Sequence, residues 1–468
     1  MSQFPQKSGF RQPGPISWRW ISLLIVAASL LRFIHLSSDL WLDEIGTLVT
    51  YARLPLTQIV RTYGSMNQHL LYSLMARVSI QALGESAWAL RLPAALLGIA
   101  AVPALYYLAR LLTSEREALL ASAMLAFSYH HIWFSQDARG YSAMVFFILL
   151  GTAFLIRGLQ EDSWACWVVY ILAMTLGVVS LQNTAFVVLG QWICCFFLVS
   201  SQRAIRVHIS VAAIAALSLL CHSLMLAEMI QFMLHTERTG LGFTKLSDLL
   251  PVVTQGVTAG VGIVGLAAVG VLGFAGWFSY WRQTRLMAGL LVLPIALNLA
   301  LLIILGIGVY PRSFLYELPF ACLIAVRGAS YLSRGPRAER MASIAVLCLI
   351  VVASVPLVRY YSLPKQDFSG ALAFVRSHSE KSDVVMGADL AGTCYRRYYF
   401  PGIVIVTMPE QLREVQDSGR KAWVLYSFPR EFQLRAPELF RYLRTALEPV
   451  AIFKGTLGGG DVYVARTR

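Results

Sequence analysis

Two adjacent carboxylates, Asp43 and Glu44, follow the first apolar segment of the chain by only a few residues. Ionised side chains are costly to hold in lipid, so acids at a membrane boundary usually face water or a substrate. A second short loop, predicted on the same side, carries Asp137 with the cation Arg139 two residues later. A carboxylate can take a proton from a nucleophile, and a cation can stabilise developing negative charge. The two motifs predict an enzyme with its chemistry at one membrane face.

Further polar residues occur near predicted membrane boundaries on that face, namely His69, Arg91, Tyr141 and Arg312. The cations among them could hold the phosphate of an anionic lipid. Structural interpretations compete with this one. Asp43 could cap the helix that follows, with Glu44 favouring its first turn. His69 could be a buried interfacial histidine, and Arg91 and Arg312 could extend to lipid headgroups. Spacing alone leaves both interpretations open.

Hydrophobic residues make up 57% of the 468-residue chain and charged residues only 14%. A soluble protein could not place so much apolar surface in its cores, so the composition predicts a multi-span membrane protein. The net charge of +14 suggests nucleic acid at first sight. In a membrane protein, basic cytoplasmic loops and attraction to anionic lipid explain it better. No soluble segment interleaves aromatic and basic residues for base stacking, so nucleic acid is not a predicted partner.

A bilayer core requires about 20 apolar residues per helix, and windows of that size predict about eleven spanning helices. The predicted spans are 18–36, 92–109, 118–134, 142–157, 164–181, 184–200, 207–226, 253–278, 286–307, 314–332 and 341–358. The polar-studded stretch 57–84 predicts helices that lie in the interface instead. The first apolar segment begins like a signal peptide, but the many later spans favour a retained anchor.

Short cytoplasmic loops carry an excess of Lys and Arg, which allows the orientation to be tested. A cytoplasmic N-terminus makes every alternate connection basic, through Arg110, Arg116, Arg157, Arg203, Arg206, Arg282, Arg285, Arg334, Arg337 and Arg340. Both acidic motifs and the tail after Tyr361 then lie on the extracytoplasmic face.

The composition changes after the last span, which predicts a transmembrane catalytic domain at 1–361 and a small extracytoplasmic α/β domain at 362–468. The predicted elements of the α/β domain are two helices and five strands. The helices are Leu372–Val375 and Pro409–Val415, and the strands are Asp383–Met386, Ile403–Val406, Trp423–Tyr426, Val450–Lys454 and Asp461–Ala465. Gly458–Gly460 predicts the turn of a final hairpin. The glycines between 256 and 276 lie in an apolar span and favour helix packing. The cysteines lack metal-ligand spacing, and no nucleotide-binding motif occurs.

Several segments resemble the family 39 glycosyltransferases, namely Arg32-Phe33, Leu40–Glu44, Asn67–Ser73, Gly84–Ser86, Ala89–Ala94, Phe134–Tyr141, Pro311–Phe314 and Leu318–Pro319. That family is similar to protein O-mannosyltransferases and to the aminoarabinose transferases of lipid A. The resemblance implies the mainly α GT-C membrane fold. It also implies inverting transfer of a sugar from a polyprenyl-phosphate donor on the extracytoplasmic side. The acceptor is a lipid, glycan or protein.

By this resemblance Asp43 matches the catalytic aspartate, the base toward an acceptor hydroxyl. Arg139 and Arg312, with His69 third, are candidates to bind the leaving phosphate. Two departures occur: Leu70-Leu71 follow His69 where many relatives have proline, and Asp137 stands where the family often has Glu. Some relatives hold a divalent metal, which implies a possible site between His69 and Asp137 or Glu44.

Two other classes of function stay open. A lipid or sugar transporter or flippase tends to show internal repeats and polar residues at mid-membrane. Here no repeat is evident, and the acids lie at the boundary. A catalytically inactive scaffold, whose tail binds partners, would need neither acidic loop. Analogy places the protein in a bacterial inner (plasma) membrane.

Overall fold

The computed structural model describes residues 17–199, 202–235, 267–283, 285–304, 311–333 and 335–468. The chain divides into two compact units. The first unit contains the chain up to Ile34, Pro55–Ser79 and Arg91–Pro356. The second contains His35–Leu54, Ile80–Leu90 and Leu357–Arg468. The second unit therefore holds the Asp43 segment together with the C-terminal part of the chain.

The described residues are mainly helical up to the C-terminal part. The helices are α1 (Trp18–Phe33), α2 (Leu42–Gly46), α3 (Leu56–Ile59), α4 (Leu70–Leu83), α5 (Ala87–Leu112), α6 (Glu115–Phe127), α7 (Tyr129–Ser135), α8 (Tyr141–Glu161), α9 (Trp164–Ser180), α10 (Thr184–Leu198), α11 (Gln202–His222), α12 (Leu226–His235), α13 (267–283), α14 (Arg285–Ile304), α15 (Leu318–Leu332), α16 (Pro336–Ser354) and α17 (Pro356–Ser362). A π-helical turn, Thr47–Ala52, continues α2.

Within the described ranges, five helical stretches are long and apolar enough to cross a membrane: Ala87–Leu112, Tyr141–Glu161, Arg203–His235, Arg285–Ile304 and Pro336–Ser362. Shorter apolar helices accompany them, among them α4, α9 and α10. The predicted count of about eleven spans stays a prediction. Residues 253–266 of the predicted span 253–278 lie outside the described residues, whereas 267–283 are helical.

The predicted span 118–134 is not one continuous helix, because the structure breaks it into α6 and α7. Ser128 lies between them in extended conformation, and its side chain accepts from the His131 backbone N–H at 3.4 Å. Serine satisfies the orphan donors of a helix N-terminus, so it starts a new helix here. The stretch 57–84 contains the end of α3 and all of α4, joined by a loop.

Helices α8, α9 and α10 pack in the core of the first unit, which includes Tyr141, Ile148, Trp167 and Met174. A buried hydrogen-bond chain connects them. The Tyr170 hydroxyl donates to Gln191 Oε1 at 3.1 Å, and Gln191 Nε2 donates to Thr152 Oγ1 at 2.9 Å. Satisfied buried polar groups of this kind fix the register of neighbouring helices.

The second unit is an α/β fold, as predicted for the tail. Its helices are α18 (Phe368–His378), α19 (Asp389–Cys394), α20 (Pro409–Asp417), α21 (Pro429–Arg435) and α22 (Pro437–Ala446). Its strands are β1 (Val384–Ala388), β2 (Val404–Val406), β3 (Ala422–Ser427), β4 (Leu447–Phe453) and β5 (Val462–Thr467). A second π-helical turn, Tyr395–Tyr399, follows α19.

Within 335–468 the strands form one sheet in the order β2-β1-β3-β5-β4. β1 pairs in parallel with β2 and β3, and β5 pairs antiparallel with β3 and β4. The predicted final hairpin is confirmed, with Gly459 in its loop at φ 73°. Tyr426 and Tyr463 stack across β3 and β5 with ring centroids 5.1 Å apart.

Candidate active site

The residue before α4, His69, is held by its neighbour Gln68. The Gln68 side-chain amide donates to the carbonyls of Ile59 and Thr62 at 3.3 and 3.1 Å, and its oxygen accepts from the Ser73 hydroxyl at 2.6 Å. The His69 carbonyl accepts from the Ser73 backbone N–H at 2.8 Å, which begins the helix. Both Gln68 and His69 are buried. These hydrogen bonds therefore fix the backbone position from which the His69 side chain extends.

The second acidic loop, 136–140, is anchored to the end of α1. The Gln136 amide donates to the carbonyls of Arg32, at 2.8 Å, and Ile34. The last carbonyls of a helix lack partners within the helix, so a side-chain amide at this end satisfies them. The loop closes with a tight backbone turn from the Arg139 N–H to the Asp137 carbonyl at 2.6 Å.

His69 and this loop come together at Gly140. The Gly140 backbone N–H donates to His69 Nδ1 at 2.8 Å. A methyl group at Gly140 would lie 2.9 Å from that nitrogen and would overlap the Ser180 carbonyl oxygen. Glycine is required because the backbone approaches two groups closely, which a Cβ would prevent.

The Gly140 contact fixes the protonation of His69. Because a backbone N–H only donates, Nδ1 must be the acceptor, and a neutral ring then carries its proton on Nε2. Arg139 Nη2 lies 3.2 Å from this Nε2. A guanidinium also only donates. Two donors thus converge on one region, and an oxyanion beside them could accept from both.

Burial and the charges around His69 keep its ring neutral. Burial, then the positive charges of Arg139 and Arg312, hold the pKa of His69 well below its usual 6.5. Arg139 also lies over the Tyr141 ring, 5.2 Å from its centroid, and His69 meets the same ring edge-on at 5.6 Å. The aromatic face stabilises the guanidinium. We call His69, Arg139, Tyr141 and Arg312 the donor cluster.

The segment that carries Arg312 is fixed by its neighbour Ser313. The Ser313 carbonyl accepts from the side-chain amides of Asn183, at 3.1 Å, and Asn298, at 3.2 Å. Asn298 also donates to the Tyr316 hydroxyl at 3.0 Å. Arg312 itself is exposed. Its charge reaches His69, but water screens it more than it screens Arg139.

Two other predicted residues of the first unit are deeply buried. Asp137 is 0% exposed and lies in the loop between α7 and α8. Arg91 is 1% exposed, near the start of α5. Neither is a surface residue that extends to headgroups, and their roles in a site stay predictions.

A buried cluster around Arg32 was not assigned a role from the sequence. The Arg32 guanidinium donates to the Ala28 and Ala126 carbonyls, both at 3.1 Å, and to the Ser135 hydroxyl at 3.3 Å. His131 Nδ1 lies 2.7 Å from its Nη2 and must be the acceptor. The sequence offered only the Arg32-Phe33 pair as a signal. The contacts tie α1 to α6 and α7 behind the acidic loop.

In the second unit, Asp43 and Glu44 lie on the short helix α2. Glu44 is 0% exposed, accepts from the Trp41 backbone N–H at 3.3 Å, and forms an ion pair with Lys365 at 3.6 Å. Asp43 is partly exposed. The carboxylate of Asp43 also raises the pKa of the buried Cys394 thiol, after the larger effect of burial. The two adjacent acids therefore have different environments.

The predicted metal site gains no support from the donor arrangement. No three residues among the His, Cys, Asp and Glu side chains that the structure describes are grouped to hold a metal ion. His69 Nδ1 already accepts from Gly140, and Nε2 faces a guanidinium. A cation at that distance repels a metal, so His69 does not fit as a ligand.

Comparison with known proteins places this geometry in context. The sequence model of the dolichyl-phosphate-mannose-protein mannosyltransferase family matches residues 67–227. No curated protein sequence matches the chain significantly. ArnT from Cupriavidus metallidurans, in its apo state, shares the fold with a TM-score of 0.60 at 12% identity, over 96% of this chain and 97% of that one.

Two further solved structures are similar. ArnT from the same organism bound to undecaprenyl phosphate has a TM-score of 0.58 at 13% identity, over 96% of this chain and 98% of its own. The archaeal oligosaccharyltransferase AglB from Archaeoglobus fulgidus, in complex with an inhibitory peptide and a dolichol-phosphate, has a TM-score of 0.51 at 12% identity, over 96% and 74%. The predicted GT-C architecture and the resemblance to its membrane glycosyltransferases are confirmed.

Proposed function

We propose that this chain, whose fold is that of the GT-C membrane glycosyltransferases, is an inverting glycosyltransferase of the plasma membrane. It moves a sugar from a polyprenyl-phosphate donor to a hydroxyl acceptor. The acceptor is a lipid, a glycan or a protein. The fold comparisons support the reaction class, and the matched ArnT structure contains undecaprenyl phosphate.

One observation carries the proposal most strongly. Two hydrogen-bond donors, His69 Nε2 and Arg139 Nη2, lie 3.2 Å apart. The charge of Arg312 acts on the same imidazole. A polyprenyl phosphate leaves as a phosphomonoester whose negative charge grows in the transition state. Hydrogen-bond donors that already point at such an oxyanion lower the activation barrier, because they need no reorganisation during the reaction. The donor cluster is the proposed phosphate site.

Asp43 is the proposed general base. The acceptor oxygen forms a bond to the anomeric carbon while the bond from that carbon to the phosphate oxygen breaks. The acceptor proton passes to Asp43, and the electron pair of the broken bond stays on the phosphate. A carboxylate is a weak base toward a hydroxyl group. Proton transfer therefore comes late, when the attacking hydroxyl has become acidic.

Asp137 is the second candidate acid, and Arg91 a further candidate for binding the donor. Both are buried in the first unit. Glu44 has a different role, because its charge is opposed by Lys365 in a buried pair. The reaction is proposed to occur on the extracytoplasmic side. The alternating basic loops support a cytoplasmic N-terminus and an extracytoplasmic C-terminal part.

A transfer assay tests the proposal. Purified protein is mixed with radiolabelled polyprenyl-phosphate mannose, glucose, galactose or aminoarabinose and a membrane extract. Wild type is expected to move label from one donor, whereas Asp43→Asn is expected to lose roughly 100-fold or more of that rate. Glu410→Gln is the matched control, since it removes a carboxylate that pairs with exposed Arg413 in the same unit. Donor binding without transfer by wild type would favour a transporter or flippase instead.

A further inference from the structure

We propose that Lys365 and Gln366 are positioning residues for Asp43. This inference rests on the proposed function and adds to it a role for the C-terminal part of the chain. The helix that carries Asp43, α2, is five residues long and continues into the π-helical turn Thr47–Ala52. Isolated helices shorter than about 12–15 residues are marginal in water, and this helical segment is shorter than that. Contacts with other segments must therefore set the position of Asp43.

The first of these contacts is the ion pair of Lys365 with Glu44. The Nζ and Oε1 atoms are 3.6 Å apart, and the two side chains are 2% and 0% exposed. Glu44 also accepts from the Trp41 backbone N–H through its other oxygen at 3.3 Å. A buried carboxylate without its cation is strongly unfavourable. Lys365 therefore holds Glu44, and with it the residue next to Asp43, in one place.

The second contact is made by Gln366, which bridges two segments. Its Oε1 accepts from the Leu42 backbone N–H at 3.0 Å, and its Nε2 donates to the Gly460 carbonyl at 3.0 Å. Leu42 is the first residue of α2, so its N–H has no partner within the helix. One side chain thus connects the start of the Asp43 helix to the loop between β4 and β5.

The segment 364–366 is itself tied to that loop through its backbone. The Pro364 carbonyl accepts from the Thr456 N–H at 3.0 Å, and the Lys365 carbonyl accepts from the Leu457 N–H at 3.1 Å. A side chain at Gly455 would overlap the Lys365 carbonyl oxygen. Backbone hydrogen bonds therefore hold the segment from which the Lys365 and Gln366 side chains extend.

Two contacts beside α2 extend the same arrangement. The Tyr399 hydroxyl donates to the Leu40 carbonyl at 2.9 Å. Asp39 accepts from the Ser369 backbone N–H at 2.7 Å and from its hydroxyl at 2.9 Å. The C-terminal part of the chain thus contacts the segment 39–44 at four residues, namely Asp39, Leu40, Leu42 and Glu44. The inference is that it orients the base.

Steady-state kinetics of Lys365→Met and Gln366→Met in the full chain test this inference. Gln366→Met keeps the length of the side chain, and Lys365→Met shortens it by one atom. A misplacement of about 1 Å costs on the order of 100-fold in rate, so kcat is expected to fall about that much in Lys365→Met, and less in Gln366→Met. The donor Kd is expected to stay at the wild-type value, because the donor cluster is untouched. Lys365→Arg is expected to restore most of kcat.

Lys381→Met is the control, since it removes an exposed lysine of the same unit that takes no part in the contacts named above. Its kcat is expected to equal that of wild type. If Lys365→Met fails to fold, the double variant Glu44→Gln/Lys365→Met removes both buried charges and is measured together with Gln366→Met. Wild-type kcat in folded Lys365→Met and Gln366→Met would overturn the inference. Absence of transfer by wild type itself would instead refute the proposed function.

Discussion

In the first unit, Arg139 lies 3.2 Å from a neutral imidazole, and in the second unit Lys365 lies 3.6 Å from a buried carboxylate. Both are buried cations beside a motif predicted from sequence to carry chemistry. At Arg139 the neighbour adds a second donor, so positive potential accumulates. At Lys365 the neighbour cancels the charge. We therefore propose that the buried cation binds a ligand in the first case and is a structural anchor in the second.

The same contrast separates Asp43 from Glu44. Adjacent residues on a helix point about 100° apart, so one can face the interior while the other faces outward. Glu44 is 0% exposed and paired, whereas Asp43 is partly exposed. A base must reach its proton, and a compensated buried acid cannot. Burial and pairing with Lys365 thus distinguish two identical charges, and this difference supports the roles proposed for them.

The largest effect expected from breaking the donor cluster comes from Arg139→Gln. Loss of a charge-assisted hydrogen bond to the phosphate is expected to weaken donor binding by about 1.5–3 kcal/mol. Isothermal titration with polyprenyl phosphate in detergent measures this change. Arg157→Gln, which removes an arginine from a partly exposed i,i+4 pair with Glu161, serves as the control. Equal affinities of Arg139→Gln and wild type would show that Arg139 has only a structural role.

Gly140→Ala tests whether the close approach of the loop to His69 matters. The added methyl overlaps the Ser180 carbonyl oxygen, so the loop must shift. Overpacking of this kind is expected to cost about 1–3 kcal/mol of folding free energy and to weaken donor binding as well. Thermal unfolding in detergent and donor titration measure the two effects. Gly458→Ala, where no atom lies within 4 Å of the added carbon, is the matched control.

The neutral state of His69 predicts a pH dependence of stability. Its pKa in the folded protein lies well below 6.5, so the unfolded chain binds more protons as pH falls below that value. Stability is therefore lost on acidification from about pH 6.5, by at most about 1.4 kcal/mol per pH unit from this group. His69→Asn keeps an acceptor for Gly140 and is expected to lose stability less steeply between pH 7 and 5. Parallel slopes for the two proteins would contradict this assignment.

Arg312→Gln is expected to have the smallest effect. Because Arg312 is exposed, its contribution to donor binding is reduced by water to about 0.2–1 kcal/mol. The difference from wild type is expected to shrink as salt is raised from low to high ionic strength. Donor titration at two salt concentrations measures it. A loss as large as that of Arg139→Gln would mean that Arg312 becomes desolvated when the donor binds.

Much of the fold could be predicted because apolar length and strand alternation are local signals. The helix 142–157 and the strands at Asp383–Met386 and Trp423–Tyr426 correspond to elements of the structure. The break at Ser128 was missed, because a serine inside an apolar run has only a weak effect on hydropathy. His69 and Arg139 were singled out, since both belong to polar motifs near membrane boundaries.

The partners of those residues could not be predicted. Lys365 meets Glu44, and Gln366 meets Leu42, across more than three hundred positions of sequence, and no local pattern encodes such a pairing. Gly140 was part of a recognised motif, but only the geometry shows that its N–H fixes the proton of His69. Long-range contacts and tautomers depend on tertiary structure, whereas residue types and periodicity do not.

The most direct test of the account measures kcat and donor Kd for Asp43→Asn and Arg139→Gln beside wild type. Asp43→Asn is expected to lose turnover while its donor Kd stays at the wild-type value. Arg139→Gln is expected to bind the donor more weakly. If Asp43→Asn instead weakens donor binding and leaves kcat intact, the assignment of base and phosphate site to these two regions is wrong.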